Sequence, residues 1–202
     1  MSSNIKLTYF DFKGRGEPIR VAFAYGDVLY VDNRIQYKDW PSVKATTPLG
    51  QLPILEVDGK VYTQGFAILR YAGKKAGLYP SDELEALRVD EALQVIEESF
   101  NAKIGQSMGI QDAEEKKAFR SKLVTEVLPP YAAKLDEYCD GGYFGNSISI
   151  ADIAMNEIIV WIKSGMLEDI PADFFDAYPN LTQMYKNVTE DSKLKSYFEN
   201  RK

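Results

Sequence analysis

The segment that most constrains the fold is Pro48–Lys60, whose sequence is PLGQLPILEVDGK. Its second half alternates apolar and polar residues, ends in Asp58-Gly59, and is followed by Val61-Tyr62. An Asp-Gly pair between two such stretches predicts an antiparallel β-hairpin. Pro53 has no N–H for a sheet ladder, so we expect it at or just before the start of an edge strand. The residues alone favour a trans Leu52–Pro53 bond, because only about 5–6% of X-Pro bonds in folded proteins are cis.

The elements around this hairpin predict a mixed sheet. A strand, a helix begun by a proline and a second strand precede the hairpin, and another helix follows it. Such a βαβ unit followed by a hairpin and helix gives a four-stranded sheet with helices packed against it. The predicted strands cover residues 5–10, 28–35, 54–57 and 61–63, and the predicted helices cover residues 18–25 and 65–75.

Beyond a linker at residues 79–83 the pattern is helical, so we expect an α/β domain at residues 1–78 and an all-helical domain at residues 84–202. The apolar residues of the first long helix repeat at helical spacing. A second long helix, Glu114–Tyr138, should be kinked or broken at Pro129-Pro130. The stripe of the first helix is Val89, Leu93, Ile96, Phe100 and Ile104.

The order Ser149-Ile150-Ala151-Asp152 has the form of a capping box. The helix that it opens is nearly all apolar, which predicts the buried centre of the helical domain. Pro179 can begin a further helix.

The chain contains no histidine and one cysteine, Cys139. These counts exclude Ser-His and Cys-His nucleophile pairs, histidine bases and nearly every zinc site. They also exclude an intrachain disulfide framework. Residues 11–18 hold no cysteine, so disulfide exchange is excluded in the first loop. A catalyst built from this chain must use Tyr, Arg, Lys or carboxylates, or the chemistry of a bound molecule.

The formal net charge of −6 disfavours nonspecific binding to nucleic acid or an anionic membrane. No apolar run approaches the roughly 20 residues of a membrane span, and residues 1–6 lack the apolar core of a signal peptide. A single cysteine points to a reducing compartment. We therefore expect a cytoplasmic protein that binds neither membrane nor nucleic acid.

Over its whole length the chain resembles the cytosolic glutathione transferases, and the sigma class in particular. The resemblance implies a thioredoxin-like N-terminal domain, an all-helical C-terminal domain, glutathione as co-substrate and a homodimer. It depends on the order and spacing of these segments: Leu7–Phe10, Gly14–Arg20, Trp40, Lys44, Gly50–Pro53, Gln64-Gly65, Ala67–Tyr71 and Ser149–Asp152.

By this resemblance the Tyr9 hydroxyl donates a hydrogen bond to the glutathione sulfur and stabilises its thiolate. A free thiol has a pKa near 8.5, and lowering it by ~2 units corresponds to ~3 kcal/mol, within reach of charge-assisted hydrogen bonds. The alternative is a tyrosine that only packs at a strand end. Arg15 would add positive potential near the sulfur; the alternative is a solvated loop arginine.

The resemblance also implies the residues that hold glutathione. Trp40 and Lys44 would bind its glycyl carboxylate, since an indole N–H and an ammonium are donors. Gln51 and the Leu52 backbone would contact the peptide, as in strand addition, with a cis Leu52–Pro53 bond. Gln64 and Gly65 would bind the γ-glutamyl end at a helix N-terminus.

Gly65 departs from the family pattern, which usually has Ser or Thr there. We expect the missing hydroxyl to weaken glutathione binding by about 1–2 kcal/mol.

The alternative for Trp40 and Lys44 is an exposed lysine beside a packed tryptophan.

Glu98 would reach the γ-glutamyl amino group across the dimer interface; the alternative is a solvated acidic face. Some relatives bind a divalent cation with acids matching Gln94, Glu97 and Glu98, but Gln94 is not acidic, so we expect no metal. Apolar walls for a second substrate are expected between the first loop and the helices near residues 104–108, although core packing is an equal alternative for each wall residue. Those candidates are Phe10, Phe12, Ile104 and Met108.

The implied function is detoxification by conjugation of the glutathione thiolate to hydrophobic electrophiles. Two alternatives remain open. One is a glutathione-dependent isomerase or peroxidase acting on lipid products. The other is a noncatalytic ligand-binding or structural protein, similar to a lens crystallin. The family's prostaglandin isomerases carry an aromatic residue where this chain has Lys103–Gly105, which disfavours that specialised activity.

Overall fold

A computed structural model describes residues 4–201 of the chain. Two compact units are present. The first contains residues 4–79 together with residues 192–201, and the second contains residues 80–191. The sequence places the C-terminal residues in the helical domain, whereas in the structure they pack with the N-terminal unit.

The first unit is a four-stranded mixed sheet with helices, as the sequence predicts. The sheet order is β2-β1-β3-β4. Strands β1 and β2 are parallel and pair Leu7 with Asp32, while β1 and β3 are antiparallel and pair Leu7 with Leu55. The bounds are β1 Ile5–Phe10, α1 Glu17–Tyr25, β2 Val31–Ile35, α2 Trp40–Lys44, β3 Ile54–Val57, β4 Lys60–Tyr62, α3 Gly65–Ala76 and α10 Lys195–Asn200.

The hairpin forms at the predicted Asp58-Gly59 turn. Both residues have positive φ, 49° and 80°, which suits a two-residue hairpin loop. Strand β4 therefore begins at Lys60, one residue before the predicted start.

Strand β2 begins at Val31 rather than at the predicted residue 28. The cause is the way α1 ends. The Val28 N–H donates a hydrogen bond to the Phe23 carbonyl oxygen at 2.9 Å, and Asp27 has φ 49°. Val28 thus takes part in closing the helix, and residues 28–30 do not join the sheet.

The second unit is helical, as predicted. Its α-helices are α4 Glu83–Ile96, α5 Ala102–Met108, α6 Ala113–Lys122, α7 Leu128–Tyr138, α8 Ile150–Lys163 and α9 Pro179–Thr189. Every residue of the predicted apolar stripe from Val89 to Ile104 is completely buried. Helix α8 is buried along most of its length, which confirms it as the centre of this unit.

The predicted long helix at residues 114–138 is interrupted before its prolines. A wider π-helical segment, Leu123–Val127, joins α6 to α7. Pro129 and Pro130 lack the N–H groups that would bond the carbonyls four residues earlier, and their rings crowd those carbonyls. The helix consequently widens in the preceding turn. A similar segment, Glu97–Asn101, joins α4 to α5.

Among residues 4–201, no helix combines the length and apolar character needed to cross a membrane.

Candidate active site

Tyr9 lies in β1, one residue before the strand ends, and only 6% of its surface is exposed. The Arg15 backbone N–H donates a hydrogen bond to its hydroxyl oxygen at 3.0 Å. Because that oxygen is accepting from Arg15, the hydroxyl proton can be donated to a further acceptor. Burial raises the pKa of Tyr9, and the Arg15 hydrogen bond and the charges of Arg15 and Arg20 oppose this only in part. The side chain is therefore a neutral hydrogen-bond donor at physiological pH.

Gly14 and Gly16 allow the loop to close around this tyrosine. A Cβ at Gly16 would lie 2.5 Å from Cδ1 of Tyr9, and one at Gly14 would lie 2.6 Å from its hydroxyl oxygen. Gly14 also has φ 45°, a conformation that other residues rarely adopt. Their G-x-G spacing is visible in the sequence, but it does not by itself mark these glycines as site residues.

An aromatic cluster adjoins Tyr9. The Phe10 and Phe12 rings stack at 5.3 Å, with centroids 5.5 and 5.6 Å from that of Tyr9. Trp40 meets Phe10 edge-on at 5.5 Å. Phe12 remains 50% exposed, so the cluster offers apolar surface beside the tyrosine hydroxyl.

Short helix α2 places Trp40 and Lys44 on one element, with Pro41 in its first turn. The Lys44 side chain passes close to Gly50, because a Cβ built on that glycine would lie 3.3 Å from Lys44 Cε. Lys44 is thus brought beside the segment that leads to Gln51.

The N-terminus of α3 lies close to Pro53 and to the loop that contains Arg15. The Leu52–Pro53 peptide bond is cis, as the resemblance implies. A Cβ at Gly65 would lie 3.6 Å from Pro53 Cγ and 3.9 Å from the Arg15 carbonyl oxygen. Gln64 has φ 72° and ψ 106°, a costly conformation for a residue other than glycine.

The side chain of the N-cap residue Gln64 makes no capping hydrogen bond at the start of α3. Its first-turn N–H groups and its dipole favour an anion. Three parts therefore lie together on one side of the first unit: the loop that contains Arg15, the residue Pro53 and the N-terminus of α3.

Comparison with known proteins assigns the family. The model for the glutathione S-transferase N-terminal domain matches residues 5–74, and that for the C-terminal domain matches residues 98–201. The chain belongs to the glutathione S-transferase family.

Relatives within this family agree with that assignment. Hematopoietic prostaglandin D synthase from Homo sapiens is 36% identical over 191 residues, covering 92% of this chain and 90% of the relative. A glutathione S-transferase from Anopheles gambiae is 31% identical over 203 residues, covering 97% and 96%. The solved structure of prostaglandin synthase D of Nilaparvata lugens has a TM-score of 0.89 and 38% identity and covers 98% of each chain.

The remaining expected residues of this family member lie in the second unit. Glu98 is exposed and accepts a hydrogen bond from Gln94 Nε2 at 2.7 Å. Ile104 is completely buried, whereas Met108 is 54% exposed and its sulfur accepts a hydrogen bond from Arg120 Nη2 at 3.1 Å. Within residues 4–201, no group of three or more His, Cys, Asp or Glu is placed to hold a metal ion.

Sequence reasoning missed two charged residues beneath the first loop. Arg20 is completely buried, and Glu17 is 1% exposed. The Arg20 guanidinium donates to the carbonyl oxygens of Phe10 and Phe12, both at 3.0 Å. The only available signal was an acid and a base three residues apart at the start of α1, which usually marks an exposed pair.

Proposed function

We propose that this protein is a glutathione transferase that conjugates the glutathione thiolate to hydrophobic electrophiles. The observation that carries the proposal is the Tyr9 hydroxyl. It accepts from the Arg15 N–H, keeps its own proton and lies among aromatic rings. A neutral donor in a largely buried position is suited to stabilise a thiolate, which is the nucleophilic form of a thiol.

Glutathione would lie along the edge of the first unit. We propose that Trp40 and Lys44 hold its glycyl carboxylate, and that Gln51 and the Leu52 backbone before Pro53 hold its central part. The uncapped start of α3, at Gln64 and Gly65, suits the γ-glutamyl carboxylate. Glu98 is proposed to contact the γ-glutamyl amino group of a partner subunit's ligand, and Arg15 to add positive potential near the sulfur.

The electrophile would contact apolar side chains. Phe12 and Met108 expose about half of their surfaces, and Phe10 stacks on Phe12. We propose these three as walls. Ile104 is completely buried, so it would support a wall from behind, in keeping with the core-packing alternative.

Sigma-class membership, a role in detoxification, a cytoplasmic location and a homodimer are parts of the same proposal. The fold also occurs in a relative that is described as monomeric, Na-GST-3 from Necator americanus. It is 31% identical to this chain, with a TM-score of 0.81.

A second candidate function is glutathione-dependent isomerisation of a lipid peroxide product. It is favoured by the similarity to proteins named prostaglandin D synthase. Both reactions use the same thiolate and differ in the second-substrate surface, so product analysis with an aromatic halide and with a prostaglandin endoperoxide separates them. A noncatalytic carrier would bind glutathione and turn over neither.

The decisive test compares Tyr9→Phe with wild type. We expect both proteins to be retained on immobilised glutathione. Turnover of an aromatic halide should fall by about 10- to 100-fold in the variant, as expected for loss of one hydrogen bond to a charged group. Tyr25→Phe, which removes a hydroxyl elsewhere in the same unit, is the matched control. Equal turnover in Tyr9→Phe and wild type would contradict the role of Tyr9 in stabilising the thiolate. A wild type that neither binds glutathione nor turns over the halide would contradict the glutathione function.

A further inference from the structure

An ion cluster with a buried centre, Glu17 and Arg20, and partly exposed outer members lies beneath the loop that follows Tyr9. We call it the Arg20 cluster, and its members are Asp11, Glu17, Arg20, Asp32 and Arg34. Arg20 Nη1 lies 3.2 Å from Glu17 Oε2, and Arg20 Nε lies 3.1 Å from Asp32 Oδ1. Arg34 bridges Asp32 at 2.8 Å and Asp11 at 3.3 Å.

This cluster holds the segment after Tyr9 from two sides. Arg20 donates to the carbonyl oxygens of Phe10 and Phe12, which fixes the backbone. The Asp11 side chain between them accepts from Arg34 and, at 3.1 Å, from Gln36 Nε2. The Arg20 guanidinium also lies 5.7 Å from the centroid of the Tyr9 ring. A shift of Arg20 would therefore move the backbone on which the Tyr9 site is built.

The C-terminal segment completes the cluster. The Tyr197 hydroxyl donates a hydrogen bond to Glu17 Oε1 at 3.0 Å, across 180 residues of sequence. Arg201 Nη1 lies 3.5 Å from the same oxygen. Glu17 thus accepts from Arg20 through one oxygen and from the C-terminal segment through the other. Buried polar groups are nearly always hydrogen-bonded, and a buried carboxylate that loses a donor is destabilised.

We propose that Tyr197 is a positioning residue for the Tyr9 site, acting through Glu17 and Arg20 on the backbone of residues 10–12. The proposal rests on the function proposed above. Every step in it joins side chains or carbonyls of the first unit at hydrogen-bond distance. The terminal helix α10 thereby acts on the chemistry without contacting substrate.

The test compares Tyr197→Phe with Tyr25→Phe. Each substitution removes one tyrosine hydroxyl from the first unit. Tyr25 at the end of α1 also packs against the C-terminal segment, since the Lys193 ammonium lies 4.3 Å from its ring centroid, and phenylalanine preserves that contact. The hydroxyl of Tyr25 is not part of the Arg20 cluster. The control therefore removes a tyrosine hydroxyl near the C-terminal segment but leaves the hydrogen bonds of Glu17 in place.

Three quantities are measured in both variants and in wild type. They are the pKa of the bound glutathione thiol, from the ultraviolet absorbance of the thiolate, the separate values of kcat and KM, and amide hydrogen exchange. For Tyr197→Phe we expect the thiol pKa to rise, and kcat to fall by about 3- to 10-fold with little change in KM, the size typical of coupling through a packed network. The Arg15 amide, which donates to Tyr9, should exchange faster.

The outcomes are separable. A residue with a merely structural role would lower the unfolding midpoint but leave the thiol pKa of the folded complex unchanged, so an unchanged thiol pKa overturns the proposal even if stability falls. Equal shifts in Tyr25→Phe also overturn it. If wild type forms no thiolate, the proposed function fails, and hydrogen exchange at Arg15 decides alone: unchanged exchange in Tyr197→Phe rejects the positioning role, and faster exchange supports it.

Discussion

At the scale of single residues, Gly65 leaves space at the start of α3. A Cβ at this position would make ordinary van der Waals contacts with Pro53 and the Arg15 carbonyl oxygen, at 3.6–3.9 Å. Its φ is not in the left-handed region, so a larger residue suits the backbone. The absent hydroxyl is therefore a chemical difference from the family pattern and not a steric requirement.

We predict that Gly65→Ser binds glutathione more tightly by about 1–2 kcal/mol, because the new hydroxyl can donate to the γ-glutamyl carboxylate. Isothermal titration calorimetry measures the difference. Gly65→Ala is the control, since it adds the Cβ without the hydroxyl. A serine variant that binds no better than the alanine variant would contradict the expectation.

Gly16, unlike Gly65, leaves no space for an added Cβ atom. An added methyl group would lie 2.5–2.9 Å from three atoms of Tyr9, Cδ1, Cγ and Cβ, so the ring or the loop must move. We predict that Gly16→Ala destabilises the fold by about 1–3 kcal/mol, the usual cost of overpacking, and displaces the Tyr9 hydroxyl.

The measurements for Gly16→Ala are the unfolding midpoint and the pKa of the bound thiol, which should rise. Gly105→Ala is the matched control, because nothing lies within 4 Å of its added Cβ. If both alanine variants show the same unfolding midpoint and the same pKa of the bound thiol, the close approach of Gly16 to Tyr9 is not needed for function.

At the scale of elements, the N-terminus of α8 carries a completely buried carboxylate. Asp152 accepts hydrogen bonds from the Phe144 N–H at 2.9 Å and from the Ser149 N–H at 2.7 Å. The Ser149 hydroxyl donates to it at 2.6 Å. Burial raises the pKa of Asp152 from an ordinary value of about 3.9 to about 6, although these hydrogen bonds oppose the rise.

This shift predicts a pH dependence of stability. Because the folded state holds the Asp152 proton more tightly than the unfolded state, protonation contributes stability that is fully present below about pH 4 and is lost as the pH rises through about 6. A shift of about 2 units corresponds to about 3 kcal/mol.

Chemical denaturation of wild type and Asp152→Asn between pH 4 and 7 measures this contribution. The stability advantage of wild type over the variant should be larger at pH 4 than at pH 7. A constant difference across this range would show that the carboxyl titrates alike in both states.

The elements that sequence predicted best are those specified locally. The alternation in β1 and β3, the Asp58-Gly59 turn and the Ser149–Asp152 cap each depend on a few adjacent residues, and each was confirmed. The start of β2 was not predicted, and the prolines predicted an interruption of the long helix but not its π-helical form before Pro129. They depend on where backbone hydrogen bonds close, which side-chain patterns do not encode.

At the scale of the whole molecule, both ends of the described chain belong to one unit. Residues 192–201 pack with residues 4–79 and bring Leu194, Tyr197 and Arg201 to it. Leu194 is completely buried. The first unit therefore depends on a short segment that follows the entire second unit in sequence.

We predict that truncation after Asp191 weakens the first unit selectively. Glu17 would lose Tyr197 and Arg201, and a buried carboxylate left short of donors costs about 3 kcal/mol or more. Hydrogen exchange should quicken at amides of α1 and β2 and stay unchanged at amides of α8. Equal acceleration in α8 would mean that the segment stabilises both units.

The candidate site shows the same division between local and distant information. Tyr9, Trp40, Lys44 and Gly65 were found through short motifs, and their roles in binding remain predictions. The Arg20 cluster and its link to Tyr197 were not found. Residues 180 positions apart leave no local pattern, and a single sequence does not reveal which polar residues become buried together.

The dependence of the first unit on residues 192–201 has a consequence for biosynthesis. Domains usually fold in the order in which the ribosome releases them, N-terminal first. Here the strands and helices of residues 4–79 emerge early, but Tyr197 and Arg201, which complete the partners of Glu17, emerge only after residues 80–191. We expect the helical unit to reach its native state first on the translating ribosome. Until residues 192–201 are synthesised, the nascent N-terminal segment would stay loosely ordered, in a form that chaperones can recognise.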